Sequence, residues 1–140
     1  MDIQERLDKL TEVIEKTDDK EICIVMTQID PDAIASAFAL GKIFDHYGLD
    51  FGYLFESEIT RPENQLLVNY LEMDIGKLGP SGFEDYDHVS LVDCNPDRVS
   101  EKSRLSKELD RKLFSVQDHH PIEAEELENI SGGSAFVDIR

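Results

Sequence analysis

The sequence predicts an α/β domain with a mostly parallel β-sheet flanked by helices and preceded by an N-terminal amphipathic helix. Two observations carry that prediction. Short apolar runs rich in β-branched residues, such as Ile22 to Met26, Val89 to Val92 and Leu113 to Val116, alternate with stretches of helical periodicity. Prolines and glycines fall where those helices should start and stop. Strands that alternate with helices are joined by crossovers, and crossovers make neighbouring strands parallel, with ligands expected at the carboxyl ends.

The elements come in a simple order. In "MDIQERLDKLTEVIEK" the residues Ile3, Leu7, Leu10, Val13 and Ile14 recur at helical spacing, so residues 1–20 are read as a helix ahead of a domain spanning 21–140. Ile22 to Met26 is a buried strand. "PDAIASAFALGKIFDHYG" is a helix ended by Gly48, "DFGYLFES" a second strand, and "RPENQLLVNYLEM" a helix with Pro62 near its start. "IGKLGPSGFEDYD" is punctuated by glycine and reads as a connection. The strand "HVSLVDC" comes next, then a helix around Val99 to Arg111, the strand "LFSVQD", a solvated acidic stretch "IEAEELEN", and a last strand "SAFVDIR". No internal repeat or low-complexity linker divides the 140 residues, a length that suits one domain burying roughly 68–70% of its unfolded surface.

Composition excludes several classes of function. Acidic residues number 31 against 14 Lys and Arg, a formal charge of −17. Such a surface repels nucleic-acid backbones, which non-specific binders neutralise with cations. Long DNA or RNA is therefore not an expected partner. No apolar run is long enough to span a bilayer, and the charged N-terminus has no apolar leader core, so no membrane association and a cytoplasmic location are expected. Cys23 and Cys94 lack metal-knuckle spacing and read as buried, reduced thiols.

Acids gather where three strands end. Asp30 and Asp32 follow the first strand, Asp93 the third, and Asp118-His119-His120-Pro121 the fourth. In a parallel sheet these ends share one edge, where uncompensated carboxylates would repel one another. Oxygen and imidazole ligands suit Mn²⁺, Mg²⁺, Fe²⁺ or Zn²⁺. An aspartate shared by two such ions makes a clamp for a phosphoryl oxygen and lowers the pKa of bound water from ~15.7 toward ~7. Taken singly, the pieces have plainer readings. Asp30-Pro31 is an ordinary helix start, "CNPDR" a turn or cap, and His46 and His88 packed or surface histidines. The adjacent pair His119-His120 has little packing logic, and it is the conjunction that points to a site.

"DPDAIAS", "LVDCNPDR" and "QDHHP" resemble, in this order, the first three motifs of the DHH phosphoesterase superfamily. "TRPENQLLVNYLEMDI" is similar to the segment after the second strand in its oligonucleotide-hydrolase-like members. The resemblance implies a DHH domain of Rossmann-like build. It also implies metal-dependent hydrolysis of a phosphodiester or phosphoanhydride in a small, nucleotide-like substrate, with Mn²⁺ as the cofactor and Mg²⁺ as its alternative. The other reading is a catalytically impaired nucleotide-binding or regulatory module of the same fold. A homodimer is left open.

By motif, Asp30 and Asp32 would each bind one of two ions, Asp93 would bridge them, and His119 would ligate the second. Asp118 would orient a histidine, and His120 would face the substrate phosphate, so that Asp118, His119 and His120 form the catalytic group. Arg98 and Arg61 are the candidate phosphate contacts. The sequence departs from the family at Met26, which stands where members carry a histidine and is expected to face Asp30 and Asp93. The family also continues past a strand like "SAFVDIR" into a fourth motif and a smaller substrate domain, so this chain reads as the N-terminal part, and Asp138 is not expected to substitute.

The charge carries the first testable expectation: at physiological salt the protein should bind long single-stranded DNA negligibly, because it offers too few cations to release counterions. Fluorescence anisotropy with a labelled oligonucleotide checks this; tight, salt-sensitive binding would overturn the reading of the surface.

Overall fold

The structure, a computed structural model, describes residues 3–15, 21–56, 58–77, 86–93, 113–118 and 134–137, with backbone alone at 114, 118 and 134–137. These form α1 (Ile3–Glu15), β1 (Ile22–Met26), α2 (Pro31–His46), β2 (Phe51–Phe55), α3 (Pro62–Tyr70), β3 (Ile75–Lys77), β4 (His88–Val92), β5 (Leu113–Asp118) and β6 (Ser134–Val137). The expected helix at 99–111 and the acidic stretch after Pro121 lie outside the described residues.

The strands make one six-stranded sheet in the order β3-β2-β1-β4-β5-β6. Every neighbouring pair is parallel. The expected α/β class is therefore observed, and the sheet is parallel throughout rather than mostly so. Chain order runs outward from β1 to β3 on one side and from β4 to β6 on the other. The junction of β1 and β4 is thus the switch point at which sheets of this type open a crevice. One strand went unread in the sequence. β3 is a three-residue edge strand containing Gly76, with Gly76 and Lys77 exposed, and it lies inside the segment taken for a connection. Three residues with one glycine carry no period that a pattern argument can detect.

All five residues of β1 are buried, because a central strand of a parallel sheet has no solvent face. Alternation sends Ile22, Ile24 and Met26 into a cluster with Leu10 and Ile14 of α1, Ala33, Ile34, Ala37, Leu40 and Phe44 of α2, and Val68 of α3. Cys23 and Val25 join Leu54, Val89, Leu91 and Val116 on the opposite face. Although residues 1–20 were set apart in sequence, α1 shares the core of the rest. Between β4 and β5 the hydroxyls of Ser90 and Ser115 are both buried and satisfy each other at 2.8 Å.

The helices are defined at both ends by backbone chemistry. Asp30 caps α2 with Pro31 in its first turn, and the small residues Ala33, Ala37 and Gly41 bring α2 close to the sheet. A Cβ at Gly41 would collide with the Tyr53 hydroxyl. At the other end the N–H groups of Gly48 and Leu49 donate to Asp45 O (3.1 Å) and Phe44 O (3.0 Å), with Gly48 at φ 71°. α3 ends in the same way: Glu72 and Met73 donate to Asn69 O (3.1 Å) and Val68 O (3.1 Å). This reciprocal pattern needs a left-handed residue, normally glycine, at the position after the cap. In α3 that residue is Glu72, at φ 55°. Among the described residues no helix is long and apolar enough to cross a membrane.

The contrast between the two helix ends predicts opposite effects. Left-handed backbone costs an L-residue about 1–2 kcal/mol, partly offset by the greater unfolded-state freedom of glycine. Glu72→Gly should therefore stabilise the fold by up to about 1 kcal/mol, and Gly48→Ala should destabilise it by about 1 kcal/mol. Urea denaturation at unchanged m-value checks both.

Candidate functional site

The carboxyl edge of the sheet is built by the segments that leave each strand. After Met26 the chain runs through Thr27, Gln28 and Ile29 to Asp30. There Oδ1 accepts the Ala33 N–H at 2.8 Å and the Asp30 carbonyl accepts the Ile34 N–H at 3.0 Å. Asp30 thus acts as a helix cap, half-buried. Asp32 is exposed in the first turn of α2, where the helix dipole favours a negative charge.

Asp93 follows β4 directly. It is half-buried and its N–H donates to Gln117 O at 2.8 Å. Its φ of 53° lies in the left-handed region, which non-glycine residues adopt mainly at turns and functional sites. Val92 pairs with Gln117 and Asp118 with Val137, so one step further in register sets Asp93 beside the backbone of Asp118. On its other side Val25 pairs with Leu91, which by the same continuation sets Thr27 beside Asp93. The ends of β1, β4 and β5 therefore stand side by side in that order. Asp30, Asp93 and the Asp118 backbone share this edge.

The other expected site residues are distributed unevenly. The side chain of Asp118, and His119, His120 and Arg98 altogether, lie outside the described residues, as does Cys94. Arg61 is the exposed residue preceding α3, on the β2 side of the same edge, and makes no side-chain cap bond. Met26 was expected to face the aspartates. Instead it is fully buried in the apolar cluster of the helical face, together with Ile29 and Val92, and its thioether fills core. Among the described residues no three His, Cys, Asp or Glu side chains are grouped closely enough to hold a metal ion. Cys23 is buried and unbridged, as expected. His46 is exposed and stacks edge-to-face on Tyr47, whereas His88 is half-buried at the start of β4.

Three residues at this edge were not anticipated from sequence. Glu56 is the first residue past β2; its backbone N–H reaches Met26 O at 3.4 Å, and its Oε1 is buried without a hydrogen-bond partner among the described residues. Burial raises the Glu56 pKa above the ordinary carboxylate value. Asn64 of α3 is 2% exposed; its Nδ2 donates to Ile29 O at 3.2 Å, leaving Oδ1 buried and unpartnered among the described residues. Gln117, paired with Val92, accepts from the Ser115 hydroxyl at 3.2 Å, while its Nε2 is buried and likewise unpartnered. The sequence did carry a signal for two of them. Glu56 ends an apolar strand with a charge, and Asn64 lies one helical turn from the buried Val68, on the inward stripe of α3 where an apolar residue is the rule. Buried polar atoms without partners are uncommon in folded proteins and call for a water, an ion, a ligand or a functional role.

No family model matches the chain. Among curated proteins, it is similar to the uncharacterized protein MJ1633 of Methanocaldococcus jannaschii, at 28% identity over 114 residues, covering 76% of this chain and 22% of that protein. Among solved structures it resembles CDC45 from Entamoeba histolytica, with a TM-score of 0.53 and 18% identity over 98% of this chain and 24% of that one. At that identity the likeness is one of fold. The chain spans less than a quarter of the length of either protein.

The burial of Glu56 has a measurable consequence with a definite sign. Its folded-state pKa is raised above the unfolded value of 4.5, so between the two the native state binds more protons than the unfolded chain, and stability falls as pH rises through that window. Glu56→Gln cannot lose a proton. Its melting temperature should decline less steeply than that of the unaltered protein as pH rises from about 4.5, and an identical slope in both would show that the carboxyl is not desolvated.

Proposed function

We propose that this chain folds as a DHH-type phosphoesterase domain, which binds a divalent cation, Mn²⁺ or Mg²⁺, and hydrolyses a phosphodiester or phosphoanhydride in a small nucleotide-like substrate. The observation that carries this reading is Asp93: an aspartate held in left-handed backbone at the switch point, hydrogen-bonded to the end of the strand that leads into Asp118-His119-His120. The order of the motifs and the likeness in fold to CDC45 support it.

The donor chemistry fits a hard divalent ion on the β4 and β5 side, where Asp93 and His119 would hold it with Asp30 and Asp32 contributing from the α2 start. When bound, such an ion neutralises phosphoryl oxygens and makes water acidic enough to attack near neutral pH. The chain's own residues do the remaining work. Asp118 orients a neighbouring imidazole, His120 contacts the phosphate, and Gln117 Nε2, buried without a partner among the described residues, is a donor for a phosphoryl oxygen. Arg61 and Arg98 offer charge to the outer oxygens. Long nucleic acid is not a substrate, because a chain of net charge −17 repels its backbone.

A second reading, a nucleotide-binding module without turnover, is favoured by one specific observation: Met26 occupies the imidazole position of the family's first motif and is packed into the core. One experiment separates the readings. Asparagine tolerates left-handed backbone as well as aspartate does, so Asp93→Asn should fold normally while abolishing Mn²⁺ binding measured by calorimetry. Unchanged affinity would remove Asp93 from the site. In the same preparation of the unaltered protein, Mn²⁺-dependent release of mononucleotide from a 5′-phosphorylated dinucleotide marks the enzyme; Mn²⁺ and nucleotide binding without release marks the module.

A further inference from the structure

On the β2 side of β1 the same edge carries a pair of polar groups that the phosphoester reading leaves without a task. Glu56 donates its backbone N–H to Met26 O, and Asn64 donates Nδ2 to Ile29 O, so both residues are anchored to the same short passage out of β1. Donation to a carbonyl fixes the Asn64 amide, since only its nitrogen can donate, and this leaves Oδ1 as the free end. Glu56 Oε1 and Asn64 Oδ1 are then two buried atoms of one kind, acceptors without donors among the described residues. An unmet buried acceptor is costly unless a ligand supplies the hydrogen.

Two oxygen acceptors take either donor hydrogens or a cation, and their place in the sheet favours the first. An ionised phosphate is an acceptor and is repelled by a carboxylate, so these acceptors are poorly matched to a phosphate. A sugar gives hydroxyl hydrogens, and the two adjacent hydroxyls of a ribose give a pair. In open parallel sheets with the strand order found here, the acidic residue at the end of the second strand is the group that takes ribose hydroxyls. The first βα turn, Thr27-Gln28-Ile29-Asp30, has none of the glycines that let a backbone approach a pyrophosphate, so a dinucleotide cofactor does not fit.

We infer that Glu56, with Asn64 anchored to the same passage out of β1, is a ribose-recognition site that selects ribonucleotides over deoxyribonucleotides by accepting hydrogen bonds from the 2′- and 3′-hydroxyls. This inference rests on the phosphoester reading, which sets the phosphate on the β4 and β5 side and the sugar toward β2. Glu56 is a specificity residue, and Asn64 both accepts from the sugar and positions the passage out of β1.

The test measures AMP and 2′-deoxy-AMP binding calorimetrically in the presence of Mn²⁺, with the unaltered chain and with Glu56→Gln. A hydrogen bond to a charged acceptor corresponds to about tenfold in affinity or more, so the chain should bind AMP at least that much tighter than 2′-deoxy-AMP. Glu56→Gln, whose neutral amide oxygen is a weaker acceptor than a carboxylate, should bring AMP toward the level of 2′-deoxy-AMP and leave the deoxynucleotide unchanged, with a cooperative urea transition at an equal or higher midpoint showing that the fold is kept. Equal affinity of the unaltered chain for the two nucleotides, or an equal loss of both in the variant, overturns ribose recognition alone. Binding of neither nucleotide overturns the phosphoester reading and the inference with it. If Glu56→Gln unfolds, the comparison of AMP with 2′-deoxy-AMP on the unaltered chain still decides.

Discussion

The complete burial of β1 is the constraint on which the rest of the architecture depends. Five successive apolar residues can be kept from water only if both faces and both edges of the strand are covered, and full burial of an Ile or Val side chain is worth roughly 1.5–3 kcal/mol. β2 and β4 cover the edges, α1, α2 and α3 cover one face, and the Cys23 and Val25 side chains meet Leu54, Val89 and Leu91 on the other. Because the pairings are parallel, the strands also end together. Everything chemically distinctive in the chain depends on that alignment, since it sets residues distant in sequence, Asp30, Glu56, Asp93 and Gln117, along one rim.

Strand existence was legible because buried parallel strands are short, dense runs of Ile, Val and Leu, and helix starts were legible because proline and aspartate have few other uses there. Pro31 and Pro62 both open helices, as expected. The features that escaped did so for physical reasons. β3 is too short and too exposed to carry a pattern, and its pairing with β2 is a tertiary fact. The end of α3 gave no glycine to read, because Glu72 adopts the left-handed turn that Gly48 adopts in α2. Motif reasoning found the acids of the edge but treated Met26 as a gap in the ligand set, whereas the structure makes it part of the core. Glu56 and Asn64 carry a local signal, a polar residue at an apolar strand end and on an inward helical stripe, but their significance and that of Gln117 is a hydrogen bond unmet among the described residues, which depends on neighbours distant in sequence.

Asp30 illustrates why the plain and the functional readings of a motif need not compete. Its Oδ1 caps α2, which fixes the carboxylate at the helix start, directly before a turn whose backbone N–H groups carry positive potential. A carboxylate anchored in that way loses little side-chain freedom when its other oxygen meets a cation. The same logic applies to Asp93, where the conformational cost of left-handed backbone is borne by the fold through the hydrogen bond to Gln117 and is already met before any ligand arrives.

The buried atoms that lack a hydrogen-bond partner among the described residues divide along the edge by chemical kind, and that division gives the edge a direction. On the β5 side the free atom is a donor, Gln117 Nε2, next to Asp93 and the strand leading to the histidine pair; on the β2 side the free atoms are acceptors, Glu56 Oε1 and Asn64 Oδ1. A nucleotide has the matching polarity, acceptor oxygens at its phosphate and donor hydroxyls on its sugar. With a net charge of −17 the surface as a whole opposes an anionic ligand, so under the proposed function a cation on the phosphate side would have to reverse the local field first. Electrostatics would then set the order of events: ion first, phosphate second, and the sugar hydroxyls last, in the part of the edge where a carboxylate and an amide oxygen could receive them.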